Sequence, residues 1–141
     1  MLLVIVPSLT MAQSPFGEIQ RSHIDGNVPP PEVFNKLLKR DLLTFFKKDI
    51  GDTVKNVKFK LLRNGPTQSG VAYPKYYLWA VVKNKTKVIT KGAVRVAAIE
   101  KTHFEITHFI SEEEIHKNPD KLKLIFPSVL VPTILSAAGA K

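Results

Sequence analysis

Acid/base or metal chemistry requires His, Asp, Glu, Cys or an activated hydroxyl, and in this chain the densest group of such residues lies between His103 and His116. His103 and Glu105 share one parity of an alternating segment, so on a strand they occupy one face. His108 falls on the other parity with Phe104 and Ile106. If Phe104 faces a core, His108 is the inward histidine, whose pKa burial would perturb. A histidine bonded structurally at a sheet margin fits the same pattern. Because His103 and His108 point to opposite faces, and His116 follows without a carboxylate at ligand spacing, no metal centre is read. The chain has no cysteine, which excludes disulfides, thiolate nucleophiles and Cys-ligated metals. Ser69 in Thr67-Gln68-Ser69-Gly70-Val71 lacks the Gly-x-Ser-x-Gly elbow, and Gly65 and Gly70 are not followed by the Gly-Lys-Ser/Thr of a phosphate loop. No catalytic residue and no cofactor is therefore assigned.

Binding chemistry is better represented. Between Thr53 and Ile99 there is no acidic residue, yet the segment holds Lys55, Lys58, Lys60, Arg63, Lys75, Lys83, Lys85, Lys87, Lys91 and Arg95, and so accounts for the net charge of +9. It also holds the single Trp, all of the Tyr and the Gly/Pro-rich stretch 64–74. Cations interleaved with aromatics suit an anionic ligand whose rings can stack. Exposed lysines on strands also protect sheets from edge-to-edge association. The residues that combine hydrogen bonding, charge and stacking are Arg63, Gln68, Tyr73, Lys75, Tyr77, Trp79 and Arg95, and these form the expected binding surface. An overlong hairpin connection at 64–74 fits a binding loop.

The elements that would position these residues are legible from periodicity. Pro31 suits the first turn of a helix, and Phe34, Leu37, Leu38, Leu42, Phe45 and Phe46 repeat at helical spacing behind it. Lys47 and Lys48 suit the last turn, and Gly51 stops it. The period then becomes two. Val57, Phe59 and Leu61 oppose Lys58 and Lys60 on a first strand, and further strands follow over 75–83, 88–100 and 103–110. Phe104, Ile106 and Ile110 share a parity on the last, and Gly92 marks a bulge or bend in the third. Asn84-Lys85-Thr86, which also matches a glycosylation sequon, makes a tight connection. Ser111-Glu112-Glu113-Glu114 is a capping box with Ile110 and Ile115 as its staple, so a short helix begins at Glu112 and ends at Asn118-Pro119. A last helical segment lies in the apolar tail, with Gly139 just past its end. The fold class is α+β, one long helix packed on a four-stranded antiparallel sheet with short C-terminal helices.

A long helix followed by a four-stranded meander resembles the cystatin-like group of folds, which includes cystatins and nuclear-transport-factor-2-like proteins. The resemblance covers roughly residues 31–110. For cystatins it implies cysteine-protease inhibition through a Gln-x-Val-x-Gly hairpin. Gln68-Ser69-Gly70-Val71-Ala72 lies at a similar place ahead of Tyr76-Tyr77-Leu78, but its Val and Gly are displaced and no Pro-Trp follows. For the nuclear-transport-factor-2-like proteins it implies a pocket between helix and sheet for a small molecule or acid/base chemistry. A cavity lined by His108, Arg95 and a Tyr would favour that alternative.

At 141 residues the chain fits one domain. Residues 1–12, apolar and ending in Ala12, read as the back half of a signal peptide without its basic start, so the protein is expected to be secreted or periplasmic, and cytoplasmic if the apolar run is no signal. Residues 13–30 read as a flexible arm and 31–141 as the domain. The C-terminal apolar run is broken by Pro127 and Pro132, which argues against a transmembrane anchor. The expected activity is that of a small exported, non-enzymatic binding or accessory module. Its partner would be a protein or an anionic ligand, with nucleic acid eligible only in the cytosol.

Overall fold

Proline at the first turn and glycine past the last bracket the long helix as the sequence indicates. In the computed structural model, which describes residues 15–140, helix α1 spans Pro15–Asn27 and α2 spans Pro31–Asp49. Gly51 follows α2 at φ 132°, a backbone conformation that side chains resist. Strands β1 (Asn56–Leu61), β2 (Lys75–Lys83), β3 (Val88–Ile99) and β4 (His103–Ser111) pair antiparallel in the order β1-β2-β3-β4. Helix α3 (Glu112–Lys117), two 3₁₀ turns (Pro119–Leu124 and Ser128–Leu130) and helix α4 (Val131–Ala137) complete the chain. The class is α+β, with a helix on a four-stranded antiparallel sheet and short C-terminal helices. Among the described residues no helix is long and apolar enough to cross a membrane. The signal-peptide reading of residues 1–12 lies outside the described residues.

The apolar stripe of α2 lies against one face of the sheet. Leu38, Leu42 and Phe46 are fully buried there with Val57, Leu78, Val82 and Val94, while Phe59 and Leu61 pack at the margin. Burial of each such helix side chain contributes about 1.5–3 kcal/mol. The helix is also fastened to the sheet's edge: the Asp41 carboxylate accepts the Phe104 backbone N–H at 2.7 Å, using a donor that edge strand β4 would otherwise leave open.

Three features depart from the sequence expectation. The first is the segment read as a flexible arm, most of which is helix α1. Its last residue, Asn27, is buried and tied to the β3–β4 hairpin, with Oδ1 accepting the Glu100 N–H at 2.8 Å and its carbonyl accepting the Lys101 N–H at 2.9 Å. Glu100 and Lys101, the central residues of the turn closed by the Thr102 N–H to the Ile99 carbonyl at 3.1 Å, both have positive φ, and neither is glycine. Asn27 supplies the acceptors that hold that turn.

The second is a bulge. Val96 pairs with Ile106 but Arg95 pairs with His108, so Thr107 is an extra residue in β4. One inserted residue exchanges the faces of everything beyond it. His108 and Ile110 therefore lie on the face opposite α2, whereas the sequence parity placed both with Phe104 and Ile106.

The third is a cover on the second face. Tyr77, Ala93 and Ile110 are buried beneath Ile115, Leu122, Phe126, Leu130 and Ile134, so the C-terminal segment turns what read as a wet sheet face into a second core. Gly92 belongs to this packing. A Cβ there would overlap the Ile110 carbonyl oxygen and come within 2.8 Å of Ser111 Cα. The capping box that launches the cover forms as the sequence indicates, with Ser111 Oγ accepting the Glu114 N–H at 3.2 Å and Glu114 Oε1 accepting the Ser111 N–H at 3.4 Å.

Candidate functional site

The cover does not reach across the whole sheet. Its acidic start meets β3, where Glu112 pairs with Lys91 at 3.7 Å, and its apolar residues lie over Ala93 and Ile110. Beyond that line the outer face of β1 and β2 presents Lys58, Lys60 and Lys83, with Trp79 half-buried at the boundary. Register fixes the arrangement: Lys60 lies directly opposite Trp79, Lys58 opposite Val81 and Asn56 opposite Lys83. Lys58 and Lys60, alternate residues of β1, stand about 6.6 Å apart, and Lys83, on β2 opposite Asn56, lies diagonally about 7–8 Å from Lys58, so the three form a staggered row across the two strands with Trp79 opposite Lys60. None of the row makes an ion pair among the described residues, where the pairs engage Arg40, Lys91, Lys117, Lys121 and Lys123. Arg63, exposed, continues the chain just past β1.

The residues expected to form the binding surface divide into separate places. Tyr77 is 6 % exposed, packs edge-on against Phe126 at 5.8 Å between centroids, and shares a hydrogen bond of 2.8 Å with Thr67 Oγ1. It is a core tyrosine beneath the cover and offers no stacking platform. Arg95, its direct neighbour on β3, is half-buried and occupied: Nε donates to Thr107 Oγ1 at 2.9 Å, Nη1 to the Ile125 carbonyl at 3.4 Å and Nη2 to His108 Nδ1 at 2.8 Å. Thr107 Oγ1 in turn donates to the Arg95 carbonyl at 3.0 Å, satisfying backbone that the bulge displaces. Arg95 thus pins the cover to the bulge.

That arrangement explains two shifted groups. Desolvation, with Arg95 and Lys121 adding positive potential, lowers the His108 pKa, which keeps Nδ1 an acceptor for the guanidinium. Desolvation and then Arg95 lower the Lys75 pKa, while Glu105 acts in the opposite sense. Lys75 is otherwise spent within its own loop, donating to the Tyr73 carbonyl at 2.7 Å.

The loop itself is built, not floppy. Thr67 and Lys75 exchange two backbone hydrogen bonds of 2.9 Å, closing a smaller hairpin on the end of β2. Inside it the Gln68 amide nitrogen donates to the Gly70 carbonyl at 3.2 Å and to the Ala72 carbonyl, and Gly70 takes φ 55°. Gln68 staples the loop instead of reaching outward. Tyr73, 45 % exposed, is the loop residue left with an open ring.

His108 lines a groove of about 530 Å³ beside β4, together with Phe45, Asp49, Thr90 and Glu114. Neither Arg95 nor a tyrosine joins it there, so the constellation named for the pocket alternative does not assemble at this groove. Lys58, Lys60 and Lys83 belong to the acid-free cationic segment but not to the seven residues expected to form the binding surface. Lys58 and Lys60 share the strand face opposite Val57 and Phe59, which the sequence shows, whereas Lys83 joins them only through the β1–β2 register that sets it opposite Asn56. Comparison with protein-family models, with curated proteins and with solved structures gave no match, so the chain's likeness to cystatin-like folds stands on element order alone.

Proposed function

We propose that this chain is a binding module that docks an extended polyanion along β1 and β2, with ring faces of the ligand set against Trp79. The observation that carries this is the acid-free row of Lys83, Lys58 and Lys60 beside the half-buried indole, on the part of the sheet that the C-terminal segment leaves open. Lysines staggered at about 6.6 to 8 Å across the two strands meet successive charges of a linear polymer, and a neighbouring aromatic adds sequence-tolerant stacking. Arg63 and Tyr73 extend the surface at the end where the loop leaves the sheet. An acidic glycan fits if the N-terminal run directs export, and single-stranded nucleic acid if the protein stays in the cytosol. A protease-inhibitor role draws nothing from the loop, whose Gln68 side chain is folded onto its own carbonyls.

Trp79 is the single tryptophan, so its emission reports on the site directly. Titration with heparin and with a dT oligonucleotide should change that emission saturably, for at least one of the two. Loss of the emission change in Lys60→Gln, with the far-UV spectrum unaltered, supports the docking surface. Unchanged emission with both polymers at low salt refutes it.

A further inference from the structure

We propose that the groove at the N-terminal end of α2, separate from the cationic face, binds a small uncharged ring compound whose hydrogen-bond acceptor is received by the Tyr76 hydroxyl. Tyr76 lies on the α2 side of β2 and is 5 % exposed, its ring edge-on to Phe34 at 4.9 Å and to Phe104 at 6.2 Å. Among the described residues the hydroxyl has no hydrogen-bond partner. Its neighbour Tyr77, buried to the same degree, has one in Thr67. The Tyr76 ring is buried, but its hydroxyl oxygen is not among the buried polar atoms left without a partner, so it is open to solvent and free to donate to a ligand. The hydroxyl is not sealed, because Tyr76 lines a groove of about 380 Å³ whose walls are Pro29, Phe34 and Leu61, with the amides of Asn35 and Asn64 around it.

The lining specifies the ligand. Among the described residues no Asp, Glu, Lys, Arg or His lines the groove, and burial raises the Tyr76 pKa so that the phenol stays neutral. A charged ligand would be desolvated there without a counter-charge. The volume lies at the small end of the range for ligand pockets, which suits one or two rings. Aromatic walls favour a flat ring, and the phenol with its nearby amides selects a carbonyl or ether oxygen over an all-hydrocarbon surface.

The test uses 4-methoxyacetophenone as the neutral probe and 4-methoxybenzoate as its charged counterpart, titrated into the full chain and followed by amide NMR. The neutral probe should shift the resonances of Phe34, Asn35, Asn64 and Tyr76 and leave those of Lys58 and Lys60 in place. Tyr76→Phe should weaken it roughly two- to tenfold, the worth of one hydrogen bond, and Asn64→Trp should abolish the shifts by filling the mouth. Because the lost hydroxyl has no protein partner, Tyr76→Phe should melt at or above the parent temperature. Any of four results overturns the proposal: no shifts around Tyr76, equal affinity in Tyr76→Phe, equal affinity for the carboxylate, or a lowered melting temperature in Tyr76→Phe that reveals a structural partner for the hydroxyl.

Discussion

Replacing Lys58, Lys60 and Lys83 together by Gln tests the cationic row by a number. Each cation that neutralises a phosphate on a single strand contributes about 0.7 to the slope of log affinity against log salt. Removal of the row should therefore flatten the slope by about 2. Over a fourfold rise in salt, from about 50 to 200 mM, the parent should lose roughly 20-fold more affinity than the variant. Folding should be almost indifferent, since Lys58 and Lys60 are exposed and none of the row is paired. Mutual repulsion of two ammonium groups about 6.6 Å apart in water is only about 0.6 kcal/mol before screening, so the variant should match or slightly exceed the parent in stability. The assay is fluorescence anisotropy of a labelled dT oligonucleotide, or heparin competition against it, across a salt series. The control is Lys36, Lys39 and Lys47 to Gln, which removes the same net charge from exposed positions on α2. A slope that falls equally in both triple variants would mean that the chain's total charge, and no site on β1 and β2, drives binding. An unchanged slope in the row variant refutes the proposed surface outright.

Other outcomes follow from the fold. Asn27→Ala removes the bond to Glu100 N–H and the bond from Nδ2 to the His23 carbonyl, and should cost about 1–3 kcal/mol; urea unfolding with an unchanged m-value checks it, and an unshifted midpoint would detach α1 from the hairpin. Gly92→Ala meets backbone at Ile110 and Ser111, so a loss of about 1–3 kcal/mol or more is expected in thermal unfolding. His108 should titrate below the ordinary histidine range by proton NMR, and Arg95→Met should bring its pKa only part of the way back, because desolvation is the larger cause. With a folded pKa below the unfolded one, His108 contributes stability that is present above about pH 6.5 and lost as pH falls through its folded value. A stability curve that rises on acidification through this window would contradict the Arg95 to Nδ1 bond.

Much of the fold was legible because its signals are local. Pro31, Gly51 and the stripe from Phe34 to Phe46 bound α2 without reference to anything distant, and the Ser111 box starts α3 at the residue its spacing requires. What could not be read depends on partners far along the chain. The turn at Glu100 and Lys101 takes its acceptors from Asn27, 73 residues from Glu100, and nothing in either segment names the other. The bulge at Thr107 is one residue wide, and period-two reasoning carries parity only through an unbroken ladder, so His108 and Ile110 were assigned to the wrong face. One missed clue was available. Strand β3 reads Gly92-Ala93-Val94-Arg95-Val96-Ala97-Ala98-Ile99, nearly continuous in apolar residues, the pattern of a strand buried on both faces. Taken with the apolar tail, it implied the cover that takes Tyr77 and Arg95 out of the expected surface.

The cover also explains why the open face is so uniformly charged. Every acidic residue after Thr53 lies at Glu100 or beyond: Glu100, Glu105, Glu112, Glu113, Glu114 and Asp120. The last four belong to the covering segment, which brings Glu112 to Lys91 and Glu114 to Lys121 at 3.1 Å. Of these carboxylates Glu112 pairs with the sheet, on β3, while Glu113, Glu114 and Asp120 pair with the segment's own Lys117, Lys121 and Lys123, and the meander keeps β1 at the far edge of the sheet. The polarity of the sheet thus follows from where its second core ends, and Trp79 lies at that boundary, one side against the cover and the other beside the lysine row.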